Sequence, residues 1–417
     1  MTLIAHTALA AGFPILDREG LVYLDSAATA QKPRVVLDAV EDLLARHNAN
    51  VHRGTYPLAV EATERYEAAR AHVAAFTGSS ARETIFTKNA TEAINLVAYA
   101  WGRRNVREGD AIVLTELEHH SNIVPWQLLC EETGAQLRYL EVGDEGRIDL
   151  GQLDEHLLDG RVRLVATAHV SNVAGTILPV AEIVARAHDA GALVLLDGSQ
   201  AVPQMPVDIG SIGADFYAWT GHKAYGPTGV GVLHGRRELL DAMPPFLGGG
   251  SMIRTVELHH STFAEVPAKF EAGTPPVAEA VGLGAAIGFL EEIGMERVRE
   301  HERDLTAYAL ERLATVPGLT IHGPAEAGAR GALVSFALDG AHPHDVSEIL
   351  GRDGVCVRAG HHCAKPLMRV LGVPATTRAS FAVHNTREDV DALVAGLGRV
   401  REVLQLGAPA PGAEAAA

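Results

Sequence analysis

Cysteine is nearly missing from this chain: three occur in 417 residues, at positions 130, 356 and 363. So few, and an odd number, supply no disulfide framework, which makes a reducing compartment the expected setting. Lysine is scarce as well, and Lys32, Lys88, Lys223, Lys269 and Lys365 are the full set. Positive charge is in deficit: 35 Lys and Arg stand against 52 Asp and Glu, a formal net charge of −17 at pH 7. Phosphate backbones are bound by basic surface, so this balance argues against a nucleic-acid binder. Long apolar runs are absent too. The opening stretch "MTLIAHTALAAGFPILDREG" has no basic leader and meets Pro14 before any such run. Neither a signal peptide nor a membrane span is expected, and the expected location is cytoplasmic. The closing "GAPAPGAEAAA" lacks periodicity and reads as a disordered tail over 407–417.

What is present is a soluble core composition, 47% hydrophobic, on a chain long enough to bury a large interior. From about residue 84 to 235, short apolar runs alternate with helical ones. "AIVLTEL", "AQLRYLEV", "VRLVATAHV", "ALVLLDGSQ", "DFYAWTGHK" and "GVGVLHG" read as strands, and "TEAINLVAYAWGRR" and "AEIVARAHDAG" as helices. Such alternation predicts an α/β domain with a largely parallel sheet covered on both faces. After "LGGGSMI" and "EAGTPP" come a long helical region over about 277–315, then "GALVSFAL", a helix around "PHDVSEILGRDG", "TTRASFAV" and a last helix to about 406. These predict a smaller α+β domain, with the boundary near Thr274 to Val277.

Several polar residues fall at predicted strand ends, where α/β sheets gather their sites. Lys223 follows "WTGH" and precedes the turn-rich "AYGPTG". It is either a solvated lysine or, if its surroundings deprotonate it, a Schiff-base nucleophile. Asp197 closes the apolar "ALVLLD". A carboxylate there caps the following segment or pairs with a pyridinium nitrogen. In "TKNATEAINL" a turn precedes a helix starting near Thr91, whose free amides and hydroxyl suit a phosphate. His119 and His120 in "TELEHHSNIVPW" are structural, or stack on a ring and move protons. Asn172, in "VSNVAGT", adds a polar group to the same rim.

The cysteines differ in setting. Cys356 alternates with Val355 and Val357 and reads as a small hydrophobe on a strand, and Cys130, in "WQLLCEETG", as a buried helix residue. Cys363 sits behind a glycine and two histidines in "RAGHHCAKPLM". Adjacent imidazoles can lower a thiol pKa, and the thiolate is the reactive form. A metal site of His361, His362 and Cys363 fails on geometry, since adjacent turn residues do not all face one ion. No metal is expected.

In order, "YLDSAATAQKP", "VHRGTYPL", "EHHSNIVPWQ", "HVSNVAGT", "LLDGSQAVP", "TGHKAYGPTGVG", "GGGSMI", "FEAGTP" and "RAGHHCAKPLM" span nearly the whole chain. This series resembles the type II, SufS-like cysteine desulfurases of the class-V aminotransferase family. These are pyridoxal-phosphate enzymes of fold type I, the aspartate-aminotransferase fold. The resemblance implies a large cofactor-binding domain over 23–275 with a mostly parallel seven-stranded sheet. A smaller domain would take 1–22 and 276–406. It implies conversion of L-cysteine to L-alanine with a persulfide on Cys363, sulfur supply to iron–sulfur cluster assembly, and a homodimer; selenocysteine lyase is the alternative. By position, Lys223 resembles the lysine that carries pyridoxal 5′-phosphate, Asp197 the partner of its ring nitrogen, Gln200 the donor to its phenolic oxygen, and His119 the stacking histidine that moves protons. Thr91, Thr220 and His222 match phosphate ligands, and Thr274 a phosphate contact from the neighbouring subunit. Asn172, Arg358 and Arg378 match substrate-binding positions. Thr220 stands where many relatives have serine, and Ala90 where they often have a further threonine. The Cys363 loop lacks the long insertion of type I enzymes, which implies slow turnover without a sulfur acceptor. His344, in "HPHD", resembles the histidine that enters the zinc site of SufU partners, so a SufU-like acceptor is expected ahead of a SufE-like one.

Overall fold

The structure is a computed structural model that describes residues 12–407. Of the expected terminal segments, 1–11 and 408–417 lie outside the described residues.

Seven strands form the main sheet, in the spatial order Thr84–Thr87, Gly231–Gly235, Phe216–Thr220, Leu193–Asp197, Val162–Ala168, Ala111–Thr115, Gln136–Leu140. Only Gly231–Gly235 runs against its neighbours, and the other pairings of the main run are parallel. A parallel sheet has both faces covered, so its strands carry unbroken apolar runs rather than alternation. "AIVLT" and "FYAWT" accordingly have every residue buried. Two apolar layers result, one gathered around Val113, Val165, Leu196 and Trp219, the other around Ile112, Leu164, Leu195 and Phe216.

A second, fully antiparallel sheet is ordered Leu319–His322, Leu333–Leu338, Thr376–Ser380, Arg358–Gly360. Its core is built from Val334, Phe336, Ala379 and Phe381 against Leu305, Leu350, Leu393 and Leu397 of the helices. The N-terminal residues Val22–Tyr23 pair in parallel with Val355–Cys356, which ties the start of the chain to this second layer.

The helical region expected as one piece over 277–315 is two helices, Val277–Ile293 and Met295–Ala314. Gly294 separates them at φ +88°, a conformation glycine adopts without a Cβ penalty. The first helix is apolar all round and packs on the helices Arg34–Arg46 and Pro57–Phe76, beside the main sheet. The second packs instead on the Arg387–Val403 helix and the strands Leu319–His322 and Leu333–Leu338. The two helices on either side of Gly294 thus pack on different layers. Cys130, expected to be buried, is half-buried on the outer helix Val124–Thr133, while Cys356 lies on a strand as expected.

Candidate active site

One cleft opens beyond the carboxyl ends of the parallel strands. Five of the seven strands deliver polar groups to it, at their ends or through the loop that follows: Thr91 after Thr84–Thr87, His119 after Ala111–Thr115, Asn172 after Val162–Ala168, Asp197 and Gln200 at and after Leu193–Asp197, and Thr220, His222 and Lys223 at and after Phe216–Thr220. The second sheet closes the cleft with Arg358, His362, Cys363 and Arg378. Every expected site residue lines this cleft except Thr274 and His344. Thr274 borders a separate cleft with Lys88, Glu92, Phe246 and Leu247, and His344 is at the start of the exposed helix face of Pro343–Arg352.

Lys223 is partly buried, and desolvation pulls its amine down to about 8, against the opposing pull of Asp197. A free amine is therefore accessible near neutral pH, as a nucleophile or base requires. Asp197 Oδ1 accepts from the Ser199 amide at 2.9 Å, so the carboxylate does cap its turn. Its Oδ2 makes no hydrogen bond with the described residues, which leaves that oxygen for a second partner. The capping reading is met on Oδ1.

His119 Nδ1 accepts from the Ser121 amide at 3.1 Å and lies 2.8 Å from Ser121 Oγ. Burial, then the Lys223 charge, push this imidazole down to about 3, so the ring is neutral. With Nδ1 used as acceptor, the proton sits on Nε2. Behind His119, Glu118 is fully buried and takes bonds from Thr115 Oγ1, Asn122 Nδ2 and the Ala168 amide, which fastens this loop to two strand ends. Gln200 donates from Nε2 to the Ala27 carbonyl at 2.9 Å, leaving its second N–H.

The phosphate-like end of the cleft is made by the turn before Ala90–Leu96. Asn89 Oδ1 accepts from the Glu92 amide at 2.9 Å and so caps the helix. Gly231 lies against that turn: a Cβ there would stand 2.5 Å from the Asn89 backbone, so only glycine lets the strand approach. Burial, then Lys223 and Lys32, hold the His222 ring down at about 4.

Arg378 and Arg358 face each other across the antiparallel pair Thr376–Ser380 and Arg358–Gly360. Arg378 is 1% exposed; its Nη1 donates to the Asn172 carbonyl at 2.7 Å and its Nη2 lies 3.4 Å from Asp25 Oδ1. Its Nε is buried without a protein partner, a donor held for an anion. Asp25, Ser121, Ser199 and His362 were not singled out in the sequence. His362 had entered as a neighbour that could lower the Cys363 thiol pKa and as a metal-ligand idea; burial holds its ring down at about 2, and Nε2 lies 2.9 Å from Thr376 Oγ1. No cluster of His, Cys, Asp or Glu fit for a metal occurs among the described residues.

A class-V aminotransferase model matches residues 22–393. The chain belongs to the class-V aminotransferase family. A "Probable cysteine desulfurase" of Streptomyces coelicolor is 54% identical over 409 residues, covering 96% of this chain and 98% of that one. The "Cysteine desulfurase" of Haloferax volcanii is 48% identical over 414 residues, with 95% and 97% covered. Among solved structures, the Escherichia coli cysteine desulfurase CsdA in an S-sulfonic acid form superposes with TM-score 0.89 at 39% identity, covering 96% and 100%. The apo cysteine desulfurase of Thermococcus onnurineus NA1 gives 0.91 at 38%, covering 97% and 99%. The fold is thus fold type I of the pyridoxal-phosphate enzymes, and pyridoxal 5′-phosphate is the family's cofactor.

The residues present fit that group. Thr220 Oγ1 is buried without a protein partner at one end of the cleft, as a phosphate donor would be. Lys223 and the second oxygen of Asp197 supply an amine and a carboxylate in the same cleft.

Proposed function

We propose that this chain is a cysteine desulfurase that converts L-cysteine to L-alanine and keeps the sulfur as a persulfide on Cys363. The observation that carries the reading is a cysteine, Cys363, lining one cleft with Lys223 and with the arginine pair Arg358 and Arg378. Relatives named cysteine desulfurase cover nearly the whole chain and support it.

Pyridoxal phosphate, when bound, supplies an electron sink for the substrate's α-carbon. Lys223 would carry it, with Asp197 at its ring nitrogen, Gln200 at its ring oxygen and His119 on its ring face. Thr91, Thr220 and His222 would hold its phosphate. Thr274 lies outside the cleft of its own chain, so its phosphate contact would come from a second copy, which favours a homodimer. Arg378 and Arg358, with Asn172, would grip the substrate carboxylate and aim its sulfur at Cys363. Lys223, with a pKa of about 8, takes and returns a proton near neutral pH. The reaction balances as L-cysteine plus the Cys363 thiol giving L-alanine plus the Cys363 persulfide. The carbon–sulfur bond of the substrate breaks and a sulfur–sulfur bond forms. Its test is turnover of L-cysteine by the purified protein: equal amounts of alanine and transferred sulfur support it, and no turnover contradicts it.

Arg378→Lys keeps the charge but loses the planar fork. The KM for L-cysteine is expected to rise roughly tenfold or more, the worth of one charge-assisted hydrogen bond, with a smaller change in kcat. Steady-state kinetics check this.

The sulfur would feed iron–sulfur cluster assembly through a SufU-like acceptor, in the cytoplasm. Support comes from His344, exposed in the first turn of Pro343–Arg352, its amide donating to His342 Nδ1. This helix start is joined to the arginine-bearing strand, since Thr377 Oγ1 donates to the Pro343 carbonyl at 3.5 Å. No helix among the described residues is long and apolar enough to cross a membrane. Stimulation of turnover by a SufU-type acceptor is expected to exceed that by a SufE-type acceptor and to fall in His344→Ala. The reverse order would overturn the assignment. Relative turnover of L-selenocysteine and L-cysteine separates the desulfurase from a selenocysteine lyase.

A further inference from the structure

The Cys363 loop has an uncomfortable backbone. Gly360 is at φ +126°, and His362 and Cys363, neither of them glycine, follow at +52° and +58°. Successive left-handed residues with side chains persist only when outside ties hold them. Upstream of the thiol those ties come from Asn172, whose Nδ2 donates to the His362 carbonyl at 2.6 Å, and from Thr376, against the His362 ring.

At and beyond the thiol the ties come from His120. Its amide donates to the Cys363 carbonyl at 2.7 Å. Its Nε2 accepts from the Lys365 amide at 3.0 Å. Lys365 is the first residue of the helix Lys365–Val370, so its N–H has no partner within that helix, and Ala364 before it has no side chain to cap it. One residue, from the main-sheet side, thus bonds the second-sheet loop at the nucleophile and two residues past it.

We propose that His120 is the positioning residue that latches the Cys363 loop over the cleft, and that loss of its Nε2 bond frees the loop to carry the thiol outward. The idea rests on the reading of Cys363 as sulfur carrier for its purpose, but the latch itself is a property of the loop. Accepting from Lys365 requires a neutral ring with its proton on Nδ1. The titratable groups facing it are the His119 and His361 rings and the Lys365 ammonium. Burial, His361 and Lys365 all favour the neutral ring. An imidazolium cannot accept, so acid opens the latch.

The test is amide hydrogen exchange over residues 361–368 in the cofactor-loaded protein, beside the rate of Cys363 alkylation by iodoacetamide. His120→Ala is expected to speed both by about tenfold, the worth of one hydrogen bond, while His120→Gln, whose side-chain oxygen can accept, stays within about twofold of wild type. Corrected for intrinsic exchange, wild-type protection at Lys365 falls as pH is lowered through the imidazole titration, and the Gln variant's does not. Unchanged exchange in His120→Ala, or the same pH profile in wild type and His120→Gln, overturns the latch. If His120→Ala does not fold, the wild-type and Gln profiles still decide. Failure of the desulfurase reading shows separately, as turnover that survives loss of Cys363.

Discussion

Cys363→Ala is expected to keep the yellow cofactor and to lose transfer of sulfur from L-cysteine by more than roughly a thousandfold, the scale on which enzymes lose rate when a nucleophile is removed. The expectation follows from position: Cys363 reaches the cleft from the second sheet, whereas Lys223, Asp197 and His119 reach it from the main sheet. Removing the thiol leaves the main-sheet groups in place. The other two cysteines offer no substitute. Burial raises the thiols of Cys130, up to about 11, and of Cys356, and neither lines the cleft. Parallel assays of alanine, sulfide and visible absorbance check both parts of the prediction.

Lys223→Ala is expected to have the larger effect on the cofactor. With no other lysine in the cleft, the visible absorbance of the lysine-bound cofactor disappears and alanine formation falls by more than roughly a thousandfold. The pH dependence of the wild type carries the same residue. Burial lowers the Lys223 amine to about 8, so the fraction of free amine in the cofactor-free protein grows as pH rises toward and past 8. Folding is affected in a stated sense. A lysine whose folded pKa is depressed pays for its charge below that value, so its contribution to stability is poorest in acid and improves as pH rises through about 8 toward the usual lysine range. Thermal unfolding of the cofactor-free protein against pH, wild type beside Lys223→Met, checks the sign: the difference narrows as pH rises.

The strands of the main sheet were legible because burial on both faces makes them short apolar runs ended by polar residues. "ALVLLD" and "FYAWT" carry their site residues at the end of the run, so strand and site are read together. Thr84–Thr87, four residues with one aromatic, gave no such run, and the seventh strand was expected only from resemblance. The break at Gly294 was missed because apolar and charged residues continue across it; the positive φ that ends the first helix is a backbone property. In the site, Lys223, Asp197 and His119 were marked by their places at strand ends. The contacts that Asp25 and His120 make were not legible, since each acts on a partner far away in sequence: Asp25 on Arg378, His120 on Cys363 and Lys365. Thr274 shows the reverse case, a residue fixed by motif whose place lies outside its own chain's cleft.

The most direct test of the central claim is a single turnover of the cofactor-loaded wild-type protein with L-cysteine, without acceptor or reductant, followed by mass measurement of the peptide containing Cys363. The account predicts the added mass of one sulfur atom on Cys363, one for each alanine formed, and no such addition on Cys130 or Cys356. Alanine formed in full with Cys363 unmodified would contradict it.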